Sequence, residues 1–236
     1  MIENLFKKLK NKRFLLNKGY LRPQYLSDQL PVEDLVSIIS ELPESKENLH
    51  VGNKKISNLF KDSMLMKSVV QYFGCNYTLW RTNFFFRGPK SSDGVGWHHD
   101  KHFQDGDSKI DFTELGDHIS IVIALADVTV KNGMLKFLCG SHRSIAGLER
   151  DNRPYHKRDL ADHFSSVSED FESRIDNITL KKGQFILFHS ALLHSSGDYV
   201  DEAGNAPRQI LIGRLAKKNL TVPLELAAKS CVVDFD

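Results

Sequence analysis

The sequence predicts a mainly β protein with helices in its first third. Five segments rich in aromatic and β-branched residues lie after residue 75, and turns containing Asn, Asp or Gly separate them. Before that point, apolar residues recur at helical intervals. The length of 236 residues and the 41% of hydrophobic residues suit one domain with a buried core. We predict a single domain over 1–236, with a helical part at 1–75 and a β core at 76–220.

Three segments form the predicted helical part. The first carries apolar side chains between lysines, at Ile2, Leu5, Phe6 and Leu9. A targeting or membrane-surface helix is the alternative. The presence of Glu3 and the lack of a cleavage pattern favour an amphipathic first helix of the domain. The same periodicity predicts helices at about 27–41 and 55–73, the latter ending before Gly74.

The β core is predicted from five apolar segments. They read "NYTLWRTNFFFR", "HISIVIALADVTV", "MLKFLCG", "QFILFHSALLH" and "RQILIGRLAKK". A long polar stretch at about 147–177 interrupts them. We predict that this stretch is an insertion that folds over a site, and its role as a lid is open.

Charge, hydropathy and cysteine content bear on the class of function. The balance of 32 basic and 30 acidic side chains leaves a net charge of +2, which gives little electrostatic reason to expect nucleic acid as a partner. No apolar run approaches the roughly 20 residues that span a bilayer, so no membrane partner is expected. Cys75, Cys139 and Cys231 lack CxxC spacing and are predicted to be reduced, buried thiols of a cytoplasmic protein. The oligomeric state is open.

The stretch "VGWHHDKHF" contains the main candidates for metal ligands. In an extended strand, His98 and Asp100 project to one face and His99 to the other. Two such ligands and a distant histidine form the 2-His-1-carboxylate triad, which leaves three positions open on iron(II). His194, at the end of an apolar run, is the candidate third ligand.

An arginine and a serine near His194 suit a carboxylate ligand. Arg208 follows His194 by fourteen residues and has no acidic neighbour in sequence, and its forked guanidinium matches a carboxylate. Ser196 can add a hydroxyl to the same carboxylate. Each feature alone has a structural explanation. The order of HxD, a distant histidine and then an arginine is much more specific.

With these motifs the sequence resembles the phytanoyl-CoA dioxygenase family of iron(II)/2-oxoglutarate oxygenases. The resemblance covers roughly 78–215 and rests on "GWHHD", "NGMLKFLCGSHR", "KKGQFILFHSALLHSSG" and Arg208. It implies a double-stranded β-helix, a jelly-roll of the cupin type, with N-terminal helices packed on one side. It also implies that His98, Asp100 and His194 hold iron(II), and that Arg208 with Ser196 binds the distal carboxylate of 2-oxoglutarate.

The resemblance implies an oxygenase that uses oxygen and 2-oxoglutarate to hydroxylate a small molecule, such as an amino acid or a natural-product intermediate. Asp100 favours hydroxylation over halogenation, because similar halogenases carry Gly or Ala there. A hydroxylase of carrier- or CoA-bound acyl groups and a cupin-like metalloprotein without 2-oxoglutarate are alternatives. A noncatalytic β-barrel binding module is a third. Desaturation and cyclisation are open, and no catalytic residue is expected beyond the metal ligands.

Residues near the ligands are candidates for substrate or co-substrate contact. Asn83 shares a strand face with two of them and could reach either molecule, although a packed strand explains it equally well. The candidates for substrate contact are Arg81, Phe85, Trp97, Lys101 and His102. Their charges, with the basic segment "RDNRPYHKR", favour a small acidic or zwitterionic substrate. His142 is predicted to stabilise a turn, and His99 and His189 to face away from the metal.

Overall fold

A computed structural model describes most of the chain. The described residues are 2–27, 37, 39, 47–89, 94–105, 108–143, 172–202, 204–218, 220 and 234–235. The predicted helix at about 27–41 lies outside them, apart from Ser27, Ser37 and Ile39. Cys231 and the segment "RDNRPYHKR" also lie outside them.

Three helices are described before the β core. They are α1 (Ile2–Lys18), α2 (Lys54–Leu59) and α3 (Ser63–Tyr72). The prediction of one helix at about 55–73 was wrong, because the helical conformation is interrupted between Leu59 and Ser63, where Asp62 caps α3. The carboxylate of Asp62 accepts hydrogen bonds from the backbone amides of Met64 and Leu65, which starts α3 as a new helix. No helix within the described ranges is long and apolar enough to cross a membrane.

Twelve strands are described, and all their pairings are antiparallel. They are β1 (Gln24–Tyr25), β2 (Tyr77–Arg87), β3 (Val95–His98), β4 (His102–Asp105), β5 (Ser108–Asp111), β6 (His118–Ala124), β7 (Leu135–Leu138), β8 (Ile175–Ile178), β9 (Gln184–His189), β10 (His194–Ser196), β11 (Arg208–Lys217) and β12 (Asp234–Phe235). The larger sheet has the order β1-β9-β6-β11-β2-β12, and the smaller has β3-β10-β7-β8. Strands β4 and β5 form a separate hairpin.

Two sequence segments differ from their predicted form. "QFILFHSALLH" is two strands, because the chain turns at residues 190–193 and crosses from β9 in the larger sheet to β10 in the smaller one. The predicted insertion at about 147–177 lies outside the described residues as far as 171. Its last residues, Ile175 to Asn177, belong to β8 and pair with β7. The pairing of β8 therefore extends the smaller sheet into what the sequence presents as a polar stretch.

The larger sheet is buried on both faces. One face packs against the helices, through apolar side chains that include Phe60, Leu65, Ile121 and Leu211. The other face packs against the smaller sheet, with Val122, Phe137, Phe188 and Ile210 in a second cluster. Every residue of β6 is buried, as expected for a strand covered on both sides. The predicted jelly-roll with helices on one side is confirmed.

Candidate active site

His98, Asp100 and His194 come together between the two sheets. One potential ligand atom from each residue lies within 4.8 Å of the other two, and all three residues are buried. Strands β3 and β10 bring the histidines together, because His194 pairs directly with His98 and their ring centroids are 4.0 Å apart. The structure thus collects the three predicted ligands, although they lie far apart in sequence.

Asp100 reaches the cluster by a bend and not by the strand alternation that the sequence predicts. Strand β3 ends at His98, and the amide of Asp100 donates a hydrogen bond to the carbonyl of Ser190 over 2.7 Å. The ring of His99 turns towards that of His102, with ring centroids 5.0 Å apart. His99 is not among the described residues that line the cavity next to the cluster. His99 therefore faces away from the metal cluster as expected, but because of this bend and not because of strand alternation.

Backbone carbonyls orient both imidazole rings. Nδ1 of His98 is 2.9 Å from the carbonyl of Gly96, and Nδ1 of His194 is 2.9 Å from the carbonyl of Leu192. An Nδ1–H that donates to a carbonyl leaves Nε2 with its lone pair, which is the form that binds a metal. Burial also lowers the pKa of both rings, which keeps them neutral. These residues fit a divalent metal such as iron(II).

Two side chains that the sequence reasoning missed hold the carboxylate of Asp100. Ser120 Oγ donates to Oδ2 over 2.5 Å, and Arg214 Nη2 donates to Oδ1 over 3.1 Å. Ser120 and Arg214 are direct partners across β6 and β11. Burial alone would raise the pKa of Asp100, but the charge of Arg214 and the hydrogen bond from Ser120 hold this pKa well below its ordinary value.

The cluster opens into a cavity of about 350 Å³ between the sheets. Apolar side chains from both sheets line it, among them Val122, Leu135, Phe137, Ile210 and Ile212. Charged and amide side chains line it as well. This combination of apolar walls and a few placed polar groups is typical of a small-molecule site.

Arg208 lies in this cavity and is only 2% exposed. Its Nη1 donates to the carbonyl of Gly133, while its Nε has no hydrogen-bond partner among the described residues. Burial and the nearby Arg87 lower the pKa of Arg208, which shows that its positive charge is not balanced by a nearby negative charge. Ser196 lines the same cavity, and its Oγ accepts from the amide of Val95. A carboxylate fits this pair.

Four predicted contact residues also line the cavity: Arg81, Asn83, Phe85 and His102. Arg81 donates to Oε1 of Glu47 over 2.7 Å, and Phe85 is 37% exposed. Asn83 Oδ1 accepts from Arg81 Nε over 3.3 Å and from Arg214 Nη1 over 2.6 Å. His102 also lies 3.1 Å from the carboxylate of Asp111.

Trp97 and Lys101 are predicted to contact substrate, but neither is among the described residues that line the cavity. Trp97 packs against the small cluster of Leu138, Ala191 and Leu193. Trp97 is the neighbour of His98 on β3, so strand alternation directs its side chain to the opposite face. An irregularity in register opposite β10 lets Val95 and His98 both face the cavity. Lys101 is buried and forms an ion pair with Asp111 over 3.3 Å.

His142, His189 and Cys139 have structural surroundings. His142 lies in the turn at 141–143 and stacks on His189 with ring centroids 5.2 Å apart, away from the metal cluster. Cys139 is buried as predicted. The prediction for Cys75 was wrong, because its side chain is exposed in the turn before β2.

A family model connects this site to known proteins. The model described as phytanoyl-CoA dioxygenase (PhyH) matches residues 33–202, which contain His98, Asp100 and His194. The chain belongs to the phytanoyl-CoA dioxygenase family. Its members are oxygenase-type enzymes that use iron(II), 2-oxoglutarate and oxygen, and this confirms the predicted cofactors. No curated protein matches the sequence.

Solved structures of low sequence identity share the fold. The epimerase SnoN, in complex with Fe³⁺, α-ketoglutarate and nogalamycin RO, is 16% identical with a TM-score of 0.69, over 90% of this chain and 84% of that chain. HygX from Streptomyces hygroscopicus, with nickel and 2-oxoglutarate bound, is 16% identical with a TM-score of 0.64, over 96% of both chains. The non-heme monooxygenase ThoJ is 18% identical with a TM-score of 0.65, over 89% of this chain and 78% of that chain.

Proposed function

We propose that this protein is an iron(II)/2-oxoglutarate-dependent dioxygenase that hydroxylates a small molecule. The observation that carries the proposal is the buried cluster of His98, Asp100 and His194 in one cavity with Arg208. The cluster suits the metal, and Arg208 suits the dicarboxylic co-substrate. Membership of the family supports both assignments.

His98, Asp100 and His194 would hold the iron. The bound iron, with 2-oxoglutarate and oxygen, supplies the oxidising power, while the protein supplies binding and orientation. Nε2 of each histidine would be the atom that holds the metal, because Nδ1 of each ring is held by a backbone carbonyl. Ser120 and Arg214 fix the carboxylate of Asp100, so the three ligands keep their geometry when the substrate enters.

Arg208 and Ser196 would bind the distal carboxylate of 2-oxoglutarate. The guanidinium is buried, so its attraction for a carboxylate is weakly screened by water. The apolar walls formed by Val122, Phe137 and Ile210 exclude water around the reacting groups. Asn83 would contact the co-substrate or the substrate from the opposite strand.

The size of the cavity favours a small substrate over a long acyl group. About 350 Å³ lies at the low end of the range for small-molecule sites. The similar structure of the epimerase SnoN, from nogalamycin biosynthesis, supports a natural-product intermediate as the substrate, whereas an amino acid stays a prediction from the sequence. A cytoplasmic location stays a prediction from the sequence.

Anaerobic titration with iron(II) and 2-oxoglutarate tests the proposal. We expect a weak visible charge-transfer band that requires both molecules, and its absence from the wild-type protein would falsify the proposal. A band that persists unchanged in Arg208→Ala would remove the co-substrate role of Arg208 and favour a cupin-like metalloprotein. In oxygen, Asp100→Ala should abolish succinate formation coupled to product, whereas retained hydroxylation would contradict the ligand assignment.

A further inference from the structure

Two arginines, Arg208 and Arg214, bound the part of β11 that lines the cavity. Arg208, Ile210, Ile212 and Arg214 alternate along this strand and all line the cavity. Their direct partners on β2 are Arg87, Phe85, Asn83 and Arg81. The two strands therefore present arginines at both ends and apolar or amide side chains between them. Arg208 serves the co-substrate in the proposed function, which leaves the opposite end without a ligand.

Arg214 loses its counter-charge when the metal binds. Its contacts are the carboxylate of Asp100 and the amide oxygen of Asn83. A divalent cation on Asp100 compensates the negative charge that balances Arg214 in the metal-free protein. Only 15% of the Arg214 side chain is exposed, and a cation that is largely removed from water without a compensating anion is unfavourable.

Arg81 lies directly opposite Arg214, and this arrangement also favours an anion. Two like charges opposite each other in a sheet repel. Glu47 compensates Arg81 in part, but its side chain is 52% exposed, so a ligand carboxylate can replace it at low cost. Asn83 Oδ1 accepts from both arginines and holds their guanidinium groups around one space.

We propose that the substrate is a small carboxylic acid whose carboxylate binds between Arg81 and Arg214. This inference rests on the proposed function and identifies its substrate class. Arginine forks match carboxylates in geometry and charge. The carboxylate takes the position of Glu47 on Arg81 and restores the charge balance of Arg214. Because Arg214 also contacts Asp100, the carbons next to the carboxylate lie beside the metal, against Phe85 and Ile212.

The test uses the protein loaded anaerobically with iron(II) and 2-oxoglutarate. The probes are small aliphatic carboxylic acids, with and without an α-amino group, and the primary amide of each acid. Binding is read from the shift of the visible charge-transfer band. We expect at least one acid to shift the band with an affinity roughly 10-fold or more above that of its amide, as charged hydrogen bonds predict. Comparison of acids with and without the amino group separates amino acids from simple acids.

Arg81→Gln distinguishes charge recognition from structural damage. We expect this variant to bind the acid and its amide with affinities within about threefold of each other, because the charged partner is gone. Equal weakening of acid and amide, with their ratio kept, would show that Arg81 only supports the fold.

Two further outcomes overturn the inference while leaving the proposed function intact. In one, the band forms with iron and 2-oxoglutarate but no acid in the panel shifts it. In the other, Arg81→Gln weakens 2-oxoglutarate as much as Arg208→Gln does, so that this end of the cavity belongs to the co-substrate. Failure of the band itself sinks the proposed function.

Discussion

Arg214 donates to Oδ1 of Asp100 over 3.1 Å, although 114 residues separate the two in sequence. Both side chains are largely buried, so each charge depends on the other before a metal binds. The pair joins the strand that carries Arg208 to the bend that carries the metal ligand. It is the contact through which the larger sheet positions the proposed metal centre.

Loss of one partner of this pair should destabilise the metal-free protein strongly. Arg214→Met leaves a buried carboxylate uncompensated, and we expect the free energy of unfolding to fall by about 3–5 kcal/mol. The double variant with Asp100→Asn should recover much of this loss, because both charges are then absent. Urea denaturation in the presence of a chelator measures both. Losses that simply add would contradict the coupling of these two residues.

Metal affinity should depend strongly on His98 and little on the adjacent His99. His98→Ala removes a ligand, and nickel(II) affinity should fall by more than the roughly 10–100-fold seen when an outer partner is removed. His99→Gln is the matched control, since His99 is buried next to His98 but its ring faces His102. Isothermal titration should show nearly wild-type affinity in this control. Similar losses in the two variants would indicate damage to the bend at residues 98–100.

Arg208→Gln should weaken 2-oxoglutarate binding by roughly 10–100-fold, since it removes a charged hydrogen bond in a buried place. Nickel affinity without 2-oxoglutarate should stay the same, because Arg208 does not contact the metal cluster. Arg87→Gln is the comparison variant. The Arg87 guanidinium donates to the carbonyl of Gly197, and Arg87 is not among the described residues that line the cavity. Its loss should therefore weaken 2-oxoglutarate binding less. A larger effect from Arg87 would transfer the co-substrate role to that residue.

Buried neutral histidines should make the protein less stable in acid. Burial lowers the pKa of His118 and His189 to about 3 and that of His50 and His142 to about 4. In the unfolded chain these rings take up protons below about pH 6.5, whereas the folded protein keeps them neutral. Stability is therefore fully present above pH 6.5 and falls as the pH drops towards 4, by on the order of 1 kcal/mol per pH unit for each ring.

Urea midpoints at pH 7.5 and pH 5 measure this fall. His118→Phe is a suitable control, because the His118 ring stacks on Phe112 with centroids 4.2 Å apart and a phenyl ring can keep that contact. The control should lose less stability between the two pH values than the wild-type protein does. Equal stability of the wild-type protein at both would contradict the neutral state of these rings.

The sequence predicted the β core well, because strands buried on both faces are continuous apolar runs. It also predicted the three residues that cluster at the candidate metal site, since their types and order suffice without a structure. Ser120 and Arg214 were missed, because their contact with Asp100 depends on the register between β6 and β11. A partial signal was present: Arg214 lies six residues after Arg208, which places both on one face of a strand.

Two of the residues predicted to contact substrate lie elsewhere. Trp97 is the neighbour of His98 on β3, so strand alternation directs its side chain to the opposite face, where it packs against the cluster of Leu138, Ala191 and Leu193. Lys101 follows a bend, where alternation no longer applies, and its charge pairs with Asp111. Such a bend depends on pairing between distant segments, which periodicity in one segment does not reveal.

The antiparallel pairing of β11 with β2 fixes the distance between Arg208 and Arg214 along β11. Six residues at about 3.3 Å each set its two arginines about 20 Å apart along the backbone, and the side chains reach inwards from there. An insertion of one residue between Arg208 and Arg214 would turn one guanidinium to the helical side of the sheet. The span available to the co-substrate and substrate together is therefore fixed, and a longer or shorter molecule must be accommodated by wall residues such as Phe85 and Ile212.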